Sequence, residues 1–220
     1  MENSALKTLL VLMVCSAVPL LNTSSSFAQP KSNQRDLEII RLVRGLHQRQ
    51  DPAILDMDRE WRRATARNRL VAIGSRSRSQ RARLVKCLTA ALRNPAVNGV
   101  WEATCDVFGR LKATEAIDLL IERLGWSSGN PSSMSSPGAD ALILIGQPSV
   151  PKLSEALLRS NASPAERYYA TVALGEIGGQ QARESLSLAL KVETDPTVKV
   201  TLEAYLRKLA NSLGSGARLR

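Results

Sequence analysis

The chain has 220 residues, with 30 basic against 20 acidic side chains, a formal net charge of +10, three cysteines and one histidine. One histidine excludes a metal centre built from several imidazoles, and the excess positive charge points toward an acidic partner. The sequence holds no Gly-rich phosphate loop, nucleophile elbow or paired-Cys metal motif, so it is read as non-enzymatic and without a cofactor.

Residues 1–28 have the make-up of a secretory signal. Lys7 closes a short n-region, Leu9 to Leu21 is almost wholly apolar, and a polar stretch leads to Ser26-Phe27-Ala28. That order predicts cleavage between Ala28 and Gln29. The apolar run is 13 residues long and contains Pro19, against the roughly 20 residues a membrane-spanning helix requires, so removal is expected rather than anchoring. Cys15 follows Leu12-Met13-Val14 instead of small residues and is read as part of the apolar region, not as a lipidation site. The expectation is export, to the periplasm or out of the cell.

Residues 29–36 read as a flexible linker. Leu37, Ile40, Val43 and Leu46 then share one helix face, and Asp51-Pro52 starts a segment toward Trp61. Together they are expected to cap the N-terminal end of the domain. His47, beside Gln48 and Arg49, is taken as a surface or capping histidine, and Asp56 and Asp58 as neighbours paired with Arg59.

From Arg59 to Arg93 there are eleven basic residues against one acid, Glu60, so this segment alone matches the net charge of the chain. Arg62, Arg63, Arg67 and Arg69 fall on a predicted helix. Arg76, Arg78, Arg81 and Arg83 alternate through a loop and the start of the next helix. Guanidinium forks bind carboxylates and phosphates bidentately, so these eight arginines are the candidate binding residues, for an acidic protein, anionic lipid head groups or another polyanion. Export argues against nucleic acid. The competing reading is a solvated basic face.

The helices carry an internal repeat. In RYYATVALGEIGGQQARESLSLAL, Arg167 to Leu190, the positions Ala170, Ala173, Leu174 and Ile177 lie on one helix face. Gly178-Gly179 supplies a turn that favours positive φ, and Ala182, Leu186 and Leu190 mark the inner side of a second helix. The same apolar-then-turn positions recur at Ile73-Gly74, Leu111-Lys112, Ile145-Gly146, Ile177-Gly178 and Leu209, in steps of 38, 34, 32 and 32 residues. Lys112 departs from the pattern, having no glycine. WSSGNPSSMSSPG, residues 126–138, reads as a loop insertion. Cys87 and Cys105 fall on successive predicted helices, where an oxidising compartment would permit a disulfide; two small apolar fillers is the alternative.

One such helix pair cannot cover its own apolar face, so the units are expected to stack. Residues 37–213 then form one all-α domain, a right-handed-type α-solenoid of antiparallel helix pairs, with residues 214–220 as a disordered tail. The Ala-x-x-Ala-Leu-Gly-x-Ile-Gly pattern at Ala170–Gly178, with its weaker copies ending at Gly74 and Gly146, resembles the HEAT repeat, and more closely the HEAT-like repeats of phycobilisome lyases. The resemblance implies a HEAT-like or armadillo-type superhelix and a non-catalytic protein-binding scaffold, here of the cell envelope. The alternative it leaves open is a lyase-like or enzyme-associated module that holds a cofactor or substrate. The repeat also resembles that of deoxyhypusine hydroxylases, whose iron is held by His-Glu pairs; this chain has no such pair, and the activity is not carried over.

Overall fold

The computed structural model describes residues 32–46, 56–92, 101–126 and 136–216, and within them every regular element is helical. In chain order these are α1 (Ser32–Leu46), α2 (Asp56–Ser75), α3 (Arg78–Leu92), α4 (Trp101–Arg110), α5 (Ile117–Glu122), α6 (Pro137–Ile145), α7 (Val150–Leu158), α8 (Pro164–Ile177), α9 (Gln180–Val192) and α10 (Pro196–Gly216). Short 3-10 turns at Thr114–Ala116 and Gln147–Ser149 lead into α5 and α7.

The helices stack as an all-α solenoid. α2, α4, α6, α8 and α10 pack side by side in one layer, and α7 joins α5 and α9 in the other, with α3 resting on the turn before α5. One continuous core runs the length of the stack, through Leu70, Leu88, Phe108, Leu120, Leu142, Leu153, Leu174, Leu186 and Leu202. These residues come from every unit, which is the physical reason the units need each other: each helix pair buries its apolar stripe only against the next.

The turns show how the repeat is made. Gly146 has φ 83° and Gly178 has φ 69°, followed by Gly179 at φ 90°, each just past the end of a first helix. With ψ near ±150°, this backbone is open to glycine and almost nothing else. Lys112 occupies the equivalent place and takes φ 48° without being glycine. Gly74 differs again: α2 runs through it to Ser75, and a Cβ there would lie 2.7 Å from Leu111 Cδ1, so its role is close packing. Gln147 Nε2 donates to Gly178 O at 3.2 Å and so ties consecutive turns together.

Serines cap the starts of α6 and α8. Ser136 accepts from the Ala139 N–H and donates to Leu124 O at 2.8 Å. Ser163 and Glu166 form a reciprocal capping box.

Four expected boundaries are affected. α1 begins at Ser32, inside the segment 29–36 read as linker, because nothing from Ser32 to Asp36 breaks a helix and Pro30 lies before it. Pro137 and Gly138, read as the end of the loop, are the first residues of α6, since proline suits the first helical position. Trp126, read as the loop's start, packs edge-on against the buried Trp101 ring at 6.5 Å. Residues 214–216, read as tail, are the last turn of α10, because each further residue of a formed helix adds a hydrogen bond without a new nucleation cost. The expected signal with its Ala28–Gln29 cleavage point, His47 and the middle of the 126–138 insertion lie outside the described residues.

Candidate functional site

The eight arginines singled out by the sequence do not form one face. Residues seven apart on a helix return to nearly the same azimuth, so Arg62 and Arg69 share one flank of α2. Arg69 Nη2 lies 4.0 Å from Glu38 Oε1 on α1. Arg63 and Arg67 share the other flank, where Arg67 Nη2 meets Glu60 Oε1 at 2.9 Å and its Nε reaches Asp106 Oδ2 on α4 at 3.8 Å. Arg81 Nη2 is 3.8 Å from Glu115, in the turn before α5. Arg67, Arg69 and Arg81 therefore bridge neighbouring helices. Arg63 and Arg81 also bury their Nε atoms without a hydrogen-bond partner.

What remains as a basic edge is smaller. Arg76 in the α2–α3 turn, and Arg78 and Arg83 on α3, are exposed. Lys86, also exposed, is one turn beyond Arg83 on the solvent side of α3. Among the described residues Arg62, Arg76 and Arg78 enter no ion pair. Lys86 lacks the guanidinium fork that marks the candidate arginines, and its i,i+3 spacing from Arg83 is the sequence signal that places it beside them.

A groove of about 430 Å³ crosses α2, α4 and α6. Inside it Arg110 Nη1 sits 2.8 Å from Asn68 Oδ1 and 3.5 Å from Asp106 Oδ2, the same carboxylate that Arg67 approaches. Glu102 and Asp140 line the groove as well and form no ion pair among the described residues. The sequence concealed this site, since its charges come from three repeats. Only the run Glu102, Asp106, Arg110, one turn apart on one helix, hinted at it.

Cys87 and Cys105, considered as a disulfide, are not joined: both are thiols. α4 packs chiefly on α2 and α6 rather than on α3, and Cys105 turns into the core while Cys87 lies against its edge. Burial pushes the Cys105 thiol well up, and the Asp140 carboxylate adds to that rise. This is the environment of a packing residue, not of a nucleophile.

Two carboxylates of the C-terminal repeats, Glu193 and Glu176, are paired within the chain. Arg167 grips Glu193 in a bidentate pair, Nε to Oε2 at 2.8 Å and Nη2 to Oε1 at 3.0 Å. The Glu193 side chain is 3% exposed and also accepts the Thr194 and Asp195 N–H groups. The Arg167 hydrogen bonds hold the Glu193 carboxyl below the usual range against the opposing effect of burial. Tyr205 and Lys208 on α10 both bond Glu176 on α8, and burial with the Glu176 bond pushes the Tyr205 hydroxyl up to about 12.

Residues 166–191, which span nearly all of α8 and α9, match the family described as PBS lyase HEAT-like repeat. No curated protein matches the chain.

Proposed function

We propose, from the premise that this chain is a HEAT-like repeat protein, that it is a non-catalytic binding scaffold of the cell envelope, reached by export, whose basic edge takes an acidic protein partner. A helical-repeat scaffold offers a long rigid surface with side chains at fixed spacings. The observation that carries the reading is the contrast among the arginines. Those facing neighbouring helices bond carboxylates of this chain, while Arg76 and Arg78 stand exposed and without an ion pair among the described residues. An exposed guanidinium pair gives on-rate and orientation toward carboxylates at little cost to the fold.

The test is a fluorescence-anisotropy titration of the purified chain with a labelled hexaglutamate peptide at several salt concentrations. The Arg76→Ser/Arg78→Ser/Arg83→Ser variant is expected to bind about tenfold more weakly, with a shallower salt dependence. Equal binding by the two proteins overturns the assignment. Visible absorbance in the purified natural protein would favour a pigment-holding module instead.

A further inference from the structure

We propose that the outward side of α9, together with Leu209 of α10, is a docking site for an amphipathic helix of another protein, seated where the stack would place its next helix. The register of the repeat itself carries this. α7 reaches back to α5 through Lys152 Nζ, 3.4 Å from Asp118 Oδ1, and α9 reaches back to α7 through the Ser185 hydroxyl, 2.7 Å from Ser154 Oγ. Lys152 and Ser185 are 33 residues apart, and the same step relates the buried Leu153 to Leu186 and Ala156 to Ala189. It also carries Ser154, on the forward side of α7, to Ser187 of α9. Ser154 donates to Val150 O at 2.8 Å and so offers a lone pair to Ser185. Ser187 donates to Arg183 O, also at 2.8 Å, and among the described residues nothing donates to it. It holds the posture of Ser154 without the helix that Ser154 meets.

The surroundings of Ser187 continue the stacking face. A groove of about 680 Å³ is lined by Arg183, Ser187, Leu188 and Leu209. Leu188 is 52% exposed and Val192, one turn further along α9, is 73% exposed, whereas the outer side of a terminal repeat is ordinarily polar because it meets water. Arg183 takes the place that the buried Val150 has on α7, so the occupant is more than a further copy of the repeat: it must answer a guanidinium. Arg183 is exposed and enters no ion pair among the described residues. Its neighbour Glu184 accepts from Gln180 Nε2 at 2.9 Å instead. α5, α7 and α9 each follow a helix of the first layer and run parallel, and a parallel helix that sets a hydroxyl on Ser187 brings the residue four positions earlier over Arg183. The partner is therefore a helix with a carboxylate four residues before a serine or threonine, and with leucines alongside to cover Leu188 and Leu209. This inference rests on the stacking of the repeat and not on the basic edge of α2 and α3.

The experiment uses the full chain and a labelled, acetylated and amidated peptide, Gln-Glu-Ala-Arg-Glu-Ser-Leu-Ser-Leu-Ala-Leu-Lys-Val, which is α9 with a glutamate set four residues before its inward serine. Fluorescence anisotropy is expected to saturate, and Arg183→Gln and Leu188→Ser each to weaken binding by about tenfold. Both positions are exposed, and thermal melts confirm that the variants are folded. A second peptide with lysine in place of that glutamate is expected to bind the natural chain more weakly and to lose nothing further in Arg183→Gln. The Arg76→Ser/Arg78→Ser/Arg83→Ser variant is expected to bind the first peptide as the natural chain does. Absence of saturation, indifference to both α9 variants, or a loss in the basic-edge variant instead overturns the proposal. So does a dimer in sedimentation without peptide that Leu188→Ser abolishes, since the groove then belongs to a second copy. The hexaglutamate titration tests the arginines of the basic edge and the helix peptide tests α9, so either reading can fail alone.

Discussion

From Ser136 onward the repeats keep a strict step, and α6 and α8 start at serine caps and end at glycines of positive φ. Upstream the step lengthens, Gly74 lies inside its helix, and Lys112 must take φ 48° where the later units have glycine. The charges divide in the same way. α8 and α10 answer theirs with Arg167–Glu193 and Lys208–Glu176, whereas α2 and α3 carry more arginines than acids within reach. The later repeats also expose Arg183, Lys191, Lys199 and Arg207, so the difference lies in how densely arginines gather on α2 and α3. In a repeat protein, where packing demands uniformity, departure from uniformity marks the surface that some other requirement has shaped.

The comparison breaks most sharply if the C-terminal pairing is removed. Glu193→Ala leaves the Arg167 guanidinium, 19% exposed, without its carboxylate partner and removes the acceptor of two backbone N–H donors. A loss of about 3 kcal/mol is expected, measured by urea unfolding. The same pair sets a pH dependence. Because the Glu193 pKa is lowered from its ordinary 4.5, its contribution is complete above that value and is lost as pH falls through the lowered one. Hydrogen exchange at falling pH should show α8 and α10 opening in that window in the natural protein, and no such step in Glu193→Ala. A step that persists in the variant would assign acid sensitivity elsewhere.

A smaller effect comes from the close approach of α8 and α10. A Cβ on Gly175 would lie 2.1 Å from Tyr205 Cδ1, so Gly175→Ala must displace the Tyr205 ring and its bond to Glu176. About 2 kcal/mol of destabilisation is expected, with release of the Tyr205 hydroxyl from Glu176 seen as a fall of its pKa from about 12. The turns then sharpen the contrast with opposite signs. Gly146→Ala meets no atom within 4 Å, so its cost is backbone conformation alone, about 1 kcal/mol. Lys112→Gly relieves the positive φ and is expected to stabilise by about 0.5 kcal/mol. Paired thermal melts of the two variants decide it: the same sign in both would mean that the two turns are not equivalent.

Much of this architecture was legible because a repeat states its periodicity several times over. The apolar stripe ending at Ile73, Leu111, Ile145 and Ile177 places the first helix of each unit, and even the missing glycine was visible at Lys112. What the sequence could not show was that Lys112 would take a positive φ there without being glycine. The site was less legible for a related reason. A run of arginines is contiguous in sequence, but a helix sends Arg67 and Arg69 to opposite flanks, where Asp106 and Glu38 wait on different helices. Those partners are separated in the chain, and so are Glu102 and Asp140, which line the groove. Pairing between repeats depends on azimuth and stacking register together, neither of which a local pattern contains.

The smallest expected effect tests that distinction directly. Arg67 lies between Glu60 and Asp106, partly shielded by α4, so Arg67→Ser removes an inter-helix tie and is expected to cost about 1 kcal/mol. Arg78, exposed at the start of α3 and outside any ion pair among the described residues, should change stability by less than about 0.5 kcal/mol on substitution by serine. Hexaglutamate binding is expected to order the two variants the other way, weaker for Arg78→Ser than for Arg67→Ser. If both properties instead follow the same order, the arginines of α2 and α3 act as one electrostatic field, and the division between those that hold the stack and those that face a partner has no physical content.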